Sequence, residues 1–372
     1  MPWTTQRKDA PSAKGSPEFP LAFLGAIAPS MATSIAASIA AAFVVACVPE
    51  TPDAPPDEFP SVSLIAVGDT GLPWGFTPQL FEGQLAVGRA MQSEHARAPV
   101  DAFVLLGDNF YPTGLHANEL FPRIVENLAR PYCAFVDASD ELADGLDPAC
   151  ANIKEPRPRF FAVLGNHDLD SPDSERLQRH EISRFVLNWD MPGDAGSRIR
   201  ELAGGLSLIF LRSGYPWGKA EVEQLSADLT TAKGPWRVIV GHRPPIAGHP
   251  QLSRMVALAS AQSERIVHAY LAGHVHVLAA IPGVGPAPAL TVIAGSGAQA
   301  HRQLETEYRI EDPDFIANKL GFMRIDVLGK PPDDRLRVTL FQSPPSAVLT
   351  FLGNTILARY EIESDGTVSR RR

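Results

Sequence analysis

Short apolar runs punctuate the chain at 62–67, 103–106, 160–164, 206–211, 238–240 and 269–272. Five of the six end at a glycine followed by a side chain able to bind a metal ion. Most are rich in β-branched or aromatic residues, which predicts buried strands. Segments 79–94, 120–129, 174–188 and 220–232 lie between them and read as helices. The third follows Ser171-Pro172-Asp173, a suitable helix start. Strand alternating with helix predicts an α/β domain with ligands gathered at the carboxyl ends of its strands. Later the pattern changes: 321–327, 335–341 and 355–362 read as consecutive strands, an antiparallel edge to a second sheet. No glycine-rich phosphate loop is evident; the glycines of 283–288 form a surface turn with no helix after it.

The five strand ends carry Gly68-Asp69-Thr70-Gly71, Gly107-Asp108-Asn109-Phe110-Tyr111, Gly165-Asn166-His167-Asp168, Gly241-His242-Arg243-Pro244 and Gly273-His274-Val275-His276. Aspartates at the ends of buried strands are costly unless positive charge meets them, and no lysine or arginine adjoins Asp69 or Asp108 in sequence. Metal ions would supply that charge. Asn166, His242, His274 and His276 complete a set of carboxylate, amide oxygen and imidazole donors that hard and borderline cations accept. Two histidines at i and i+2 point to opposite sides of a strand, but from a loop they can reach two neighbouring ions. Any one of these motifs is an ordinary turn; their ordered combination is the signal.

From about 61 to 362 the chain resembles the calcineurin-like metallophosphoesterases, and within them the purple acid phosphatases of the small tartrate-resistant type. Most of that superfamily carries Asp-x-His in the first motif, where this chain has Asp69-Thr70-Gly71. The purple acid phosphatases share the missing histidine and place a tyrosine in the second motif, as Tyr111 stands here. The resemblance implies a four-layer α/β/β/α sandwich of two mixed β-sheets flanked by helices. It also implies a first metal held by Asp69, Tyr111 and His276, a bridging Asp108, and a second metal held by Asn166, His242 and His274. A phenolate ligand implies Fe(III) in the first site, with zinc, iron or manganese in the second. The implied reaction is hydrolysis of phosphate monoesters, a metal-bound hydroxide attacking phosphorus directly; a phosphodiesterase of the same superfamily is the alternative, and a surface binding protein with little catalysis a third. His167 would face substrate and orient the phosphate or protonate the leaving group. His249 is either a second substrate-side histidine or a simple loop residue. Asp168 is expected to orient His167, and Asn109 to hydrogen-bond near the bridging ligand.

The ends of the chain read differently. Residues 1–47 form a signal- or anchor-like segment whose apolar stretch 31–46 precedes Cys47, as in a bacterial lipoprotein signal; an uncleaved hydrophobic helix or a mis-assigned start are the alternatives. Residues 48–60 are a proline-rich linker, 61–365 the catalytic domain, and 366–372 a basic, solvated tail. Export to the bacterial cell envelope is therefore expected, secreted or lipid-anchored, with membrane attachment possible through Cys47. Cys133 and Cys150 are then left as one pair, a disulfide in an oxidising compartment or two free thiols. A net charge of −9 over 372 residues argues against nucleic acid as a partner, and a small phosphorylated substrate is expected instead. The oligomeric state stays open.

Overall fold

The computed structural model describes residues 59–72, 83–146, 150, 156–193, 198–212, 217–300 and 310–371. The anchor-like segment with Cys47, nearly all of the proline-rich linker, and His301 lie outside these residues. The described chain builds two mixed sheets. In the first, β1 (Val62–Val67), β2 (Ala102–Leu105), β3 (Arg159–Ala162) and β4 (Trp189–Asp190) run parallel. The second contains β5 (Ile199–Glu201), β6 (Leu206–Phe210), β7 (Trp236–Val240), β8 (Ala269–Ala272), β9 (Leu278–Pro282), β10 (Leu290–Ala294) and β11 (Phe315–Ala317), in the order β11-β9-β10-β8-β7-β6-β5. The chain then returns to the first sheet through β12 (Gly321–Leu328), β13 (Arg335–Gln342), β14 (Thr355–Ile362) and β15 (Val368–Arg371), giving β15-β14-β13-β12-β1-β2-β3-β4. β12 lies antiparallel to β1, with Leu64 opposite Ile325.

Strand periodicity sorts the core into layers, because alternate side chains face opposite sides of a sheet. Val62, Leu64 and Ala66 of β1 join Leu206, Leu208 and Phe210 of β6 in one buried cluster between the sheets. Ile65 and Val67 point the other way and pack with Val87 and Met91 of helix α1 (Gly83–Arg97). On the far side, Ile209 and Ile239 meet Leu225 and Leu229 of α3 (Lys219–Thr231) and Leu252 and Val256 of α4 (Pro250–Ser263). Three apolar seams separate four layers, α/β/β/α, as expected.

Two expectations are corrected. The helix read over 174–188 ends early: α2 spans Ser174–His180, and a short 3₁₀ turn follows at Ile182–Arg184. The Trp189 indole N–H donates to the Gln178 carbonyl (2.8 Å), satisfying one of the acceptors a helix end leaves open and turning the chain into β4. The basic run is not a free tail, since Val368–Arg371 pairs with β14 as an edge strand. Buried Glu361 explains this: Arg337 and Arg371 both donate to its carboxylate, and Arg335 lies 3.3 Å away. Cys133 and Cys150 are joined as a disulfide, with Cα atoms 5.8 Å apart.

Candidate metal centre

All five motifs leave the carboxyl ends of strands: β1, β2 and β3 of one sheet, β7 and β8 of the other. Their glycines let the loops touch. Gly107 has φ +90, and a Cβ there would stand 2.6 Å from His242 Nδ1; one on Gly165 would collide with the Asp108 carboxylate. Asp69, Asp108 and His274 themselves take positive φ values of 58, 53 and 67, a costly conformation for residues with a Cβ that concentrates at functional sites.

The side chains converge from both sheets. The Tyr111 hydroxyl donates to Asp108 Oδ2 (2.9 Å) and lies 3.2 Å from Asp69 Oδ1 and from His276 Nε2. His276 Nε2 is 3.3 Å from Asp69 Oδ1, so four of the expected ligands for the first ion share one small volume. Asp69 Oδ2 is held by the His274 amide (2.7 Å), and Asp108 Oδ1 by the His167 amide (2.9 Å). On the other flank of Asp108, His242 donates from Nδ1 to the Leu106 carbonyl (2.8 Å). That bond fixes the tautomer, leaving Nε2 as an acceptor 3.2 Å from Asn166 Oδ1 and 3.5 Å from Asp108 Oδ2. The His274 ring lies edge-on to His242 at 5.0 Å. The structure thus gathers all seven expected ligands, with Asp108 between the two groups. Asp69, Asp108 and His242 each offer a donor within 4.8 Å of the others.

The electrostatics ask for cations. Asp69 and Asp108 are almost fully buried. Burial, then the charges of Asp69 and Asp108, hold the Tyr111 phenol well above its ordinary pKa. Burial, followed by His242 and Arg243, pushes His274 far down. Burial also pulls His276 down, but Asp69 and Asp108 outweigh it and the net shift is upward. A bound ion reverses this logic, since its charge favours phenolate, carboxylate and neutral imidazole together. The donor set and its buried negative charge fit a pair of metal ions.

Around these residues the expectations divide. The partly exposed His167 ring packs on Tyr111 at 4.5 Å and places Nδ1 2.6 Å from the Pro112 carbonyl. Asp168 does not orient it. Its buried carboxylate instead accepts from the amides of Asn109, Phe110 and Gly165 and from Gln178, lashing the second motif to the third. Burial, then Asp108, raises Asp168 to about 6, against the pull of those donors. Asn109 also turns away from the bridging carboxylate, its amide donating to Val163 O (2.8 Å) and Gln178 Oε1 (3.0 Å). His249 precedes α4, and its ring lies 5.1 Å from that of His274. Sequence reading assigned no role to Arg243, whose Nη1 stands 2.9 Å from His274 Nε2. Its place beside His242 in the fourth motif was the available signal.

The calcineurin-like phosphoesterase family model matches residues 62–278, more than half of the chain and all five motifs. Purple acid phosphatase 17 of Arabidopsis thaliana is 24% identical over 266 residues, spanning 65% of this chain and 70% of that protein. Among solved structures, GAP50, the anchor in the inner membrane complex of Plasmodium, superposes with a TM-score of 0.55 at 16% identity, covering 80% of this chain and 88% of its own. PhoD gives 0.53 at 14% identity, covering 86% of this chain and 73% of its own. These likenesses to solved structures are likenesses of fold. With the family match and five strand-end motifs meeting in one donor cluster, the chain belongs to the calcineurin-like phosphoesterases.

Proposed function

We propose that the protein is an exported acid phosphatase of the purple acid phosphatase type, hydrolysing small phosphate monoesters at an Fe(III)–M(II) pair. The observation that carries this reading is the Tyr111 hydroxyl set among Asp69, Asp108 and His276. A phenolate ligand suits trivalent iron, and the Arabidopsis relative bears the same subfamily's name. Asp69, Tyr111 and His276 would hold one ion, Asn166, His242 and His274 the other, and Asp108 both. Bound ions supply Lewis acidity toward phosphate oxygens and an activated water for in-line attack.

The chain's own residues do the rest. His167, tied through Nδ1 to Pro112, keeps Nε2 for substrate and can protonate the departing alcohol. Arg243 and His249 flank His274 and supply positive charge and a donor to the phosphoryl group. Asp168 keeps the second and third motifs in register. Export is supported by the Cys133–Cys150 disulfide, which belongs in an oxidising compartment, and by the lipoprotein-like sequence before Cys47.

The test is a panel of phosphate monoesters and diesters, assayed across acidic and neutral pH with the parent protein and with Asn166→Ala and His274→Ala. Monoesters should be preferred, and each substitution should lower kcat by on the order of a hundredfold or more. Undiminished activity in either variant would sink the assignment. A consistent diester preference would move the protein to the phosphodiesterases of the same family.

A further inference from the structure

The outer strands of the first sheet leave one face unusual. Helix α1 covers β12 on that side, where Met91 packs in the same apolar cluster as Phe322. Farther out the face is made by arginines. Residues two apart on a strand share a face, so Arg335 and Arg337 of β13 stand with Arg359 and Glu361 of β14. The pairing Arg359↔Arg371 adds an arginine from β15. Among the described residues of these three strands, four arginines share the face with one carboxylate, Glu361, and the surplus is positive on a chain of net charge −9. Arg359, Arg370 and Arg371 line a depression together with Ile356.

The connection from β13 to β14 borders this face and exposes apolar side chains. It contains the 3₁₀ segment Ala347–Leu352, anchored on α1 by Arg89 donating to the Ala347 carbonyl and by Asn354 donating to the Ala90 carbonyl. Ala347 is buried, but Phe351 is 78% and Leu352 64% exposed, with Val348 and Ile356 also open. Large exposed apolar side chains grouped in this way mark interaction surfaces. Register places the segment: β12 runs antiparallel to β1, so the β13–β14 connection lies at the same end of the sheet as Gly68 and Asp69.

We propose that this face docks on an anionic phospholipid membrane, with Phe351 and Leu352 entering the interface and the arginines meeting lipid phosphates. Charge complementarity selects that partner, because guanidinium groups pair bidentately with phosphate while an aromatic and a leucine gain from the acyl boundary. An anionic surface also attracts a basic patch on an otherwise acidic protein. Among the described residues no helix is long and apolar enough to cross a membrane.

The experiment is vesicle co-sedimentation of the full chain carrying Cys47→Ser, so that no lipid is attached there. Vesicles of phosphatidylcholine alone are compared with vesicles containing one-third phosphatidylglycerol, at low and high salt. Binding should require phosphatidylglycerol and weaken with salt. Phe351→Ser with Leu352→Ser, and separately Arg359→Gln with Arg371→Gln, should each lower the partition coefficient by on the order of tenfold. Hydrolysis of a soluble monoester serves as a control and should be unchanged in both, as should the melting temperature of the Phe351→Ser, Leu352→Ser variant. Arg371→Gln also removes a bond to Glu361, so the arginine variant is compared well below its own melting temperature. Equal binding to both vesicle types, parental binding by both double variants, no binding at all, or preferential capture of duplex DNA would each overturn the proposal. None of these outcomes depends on the phosphatase reading.

Discussion

At the scale of single residues, Tyr111 does most to separate this chain from its wider family. Its hydroxyl lies among two buried carboxylates and an imidazole, in a chain whose first motif has Gly71 in place of the histidine that resemblance to the wider superfamily leads one to expect. Tyr111→Phe keeps the ring and removes the hydroxyl. If Fe(III) binds there, the oxidised parent protein is violet to pink, and the variant should lose that absorption together with on the order of a hundredfold or more in kcat. A colourless parent holding two stoichiometric zinc or manganese ions would refute the iron assignment. The expected carboxylate, amide and imidazole ligands were legible because their motifs stand at the ends of apolar runs, where such a buried group needs a reason, whereas Tyr111 was read from the resemblance alone. Asp168 and Arg243 were less legible. Asp168 sits next to His167 in sequence, yet its partners Asn109, Phe110 and Gln178 come from another motif and from α2. Local spacing carries no record of such contacts.

Elements set how closely the motifs approach, and here the glycines matter more than the strands. Gly107 combines φ +90 with the near contact to His242 Nδ1, so an alanine there meets both backbone strain and the imidazole. Gly107→Ala should displace His242 from the Leu106 carbonyl, empty the second metal site first, and lower activity by on the order of a hundredfold. Gly218→Ala, where an added Cβ meets nothing within 4 Å, is the matched control and should retain activity. Metal content measured on both variants decides the point; full occupancy in Gly107→Ala would show that the loops tolerate separation. The same scale explains what the sequence did not reveal. The buried strands β1, β2, β3, β6, β7 and β8 were readable because burial on both faces makes them continuous apolar runs. Short β4 and β5, and β11, carry too few residues for a pattern. β15 was read as a basic tail, and its arginines belong to the sheet because Arg371 donates to Glu361, buried on the neighbouring strand, and Arg370 to Asp314.

The whole molecule is fastened at both ends of its two sheets. At the motif end the fastening is the donor cluster, where loops of both sheets meet. At the opposite end polar side chains do the work: the Trp236 indole, at the start of β7, donates to Asp334 before β13 (2.8 Å). His268, just before β8, accepts from the Arg237 amide at Nδ1 and lies 3.2 Å from the Ser364 carbonyl through Nε2. The Asp334 and Ser364 contacts each join the second sheet to a turn of the first. That geometry requires neutral imidazole, since Nδ1 must accept while Nε2 donates. Burial is the main reason His268 is lowered to about 4; the Ser364 carbonyl opposes the shift and the Arg237 charge adds to it. Between that value and 6.5, the unfolded chain holds a proton that the folded chain does not, so stability rises with pH across this window. The contribution is complete above about 6.5 and is lost as pH falls toward 4, by about 3 kcal/mol in all. His268→Gln retains an amide able to bridge the same groups but does not titrate. Denaturant unfolding at pH 7 and pH 4.5 should therefore show a shallower loss for the variant than for the parent. Equal slopes would mean that acid acts elsewhere than on His268.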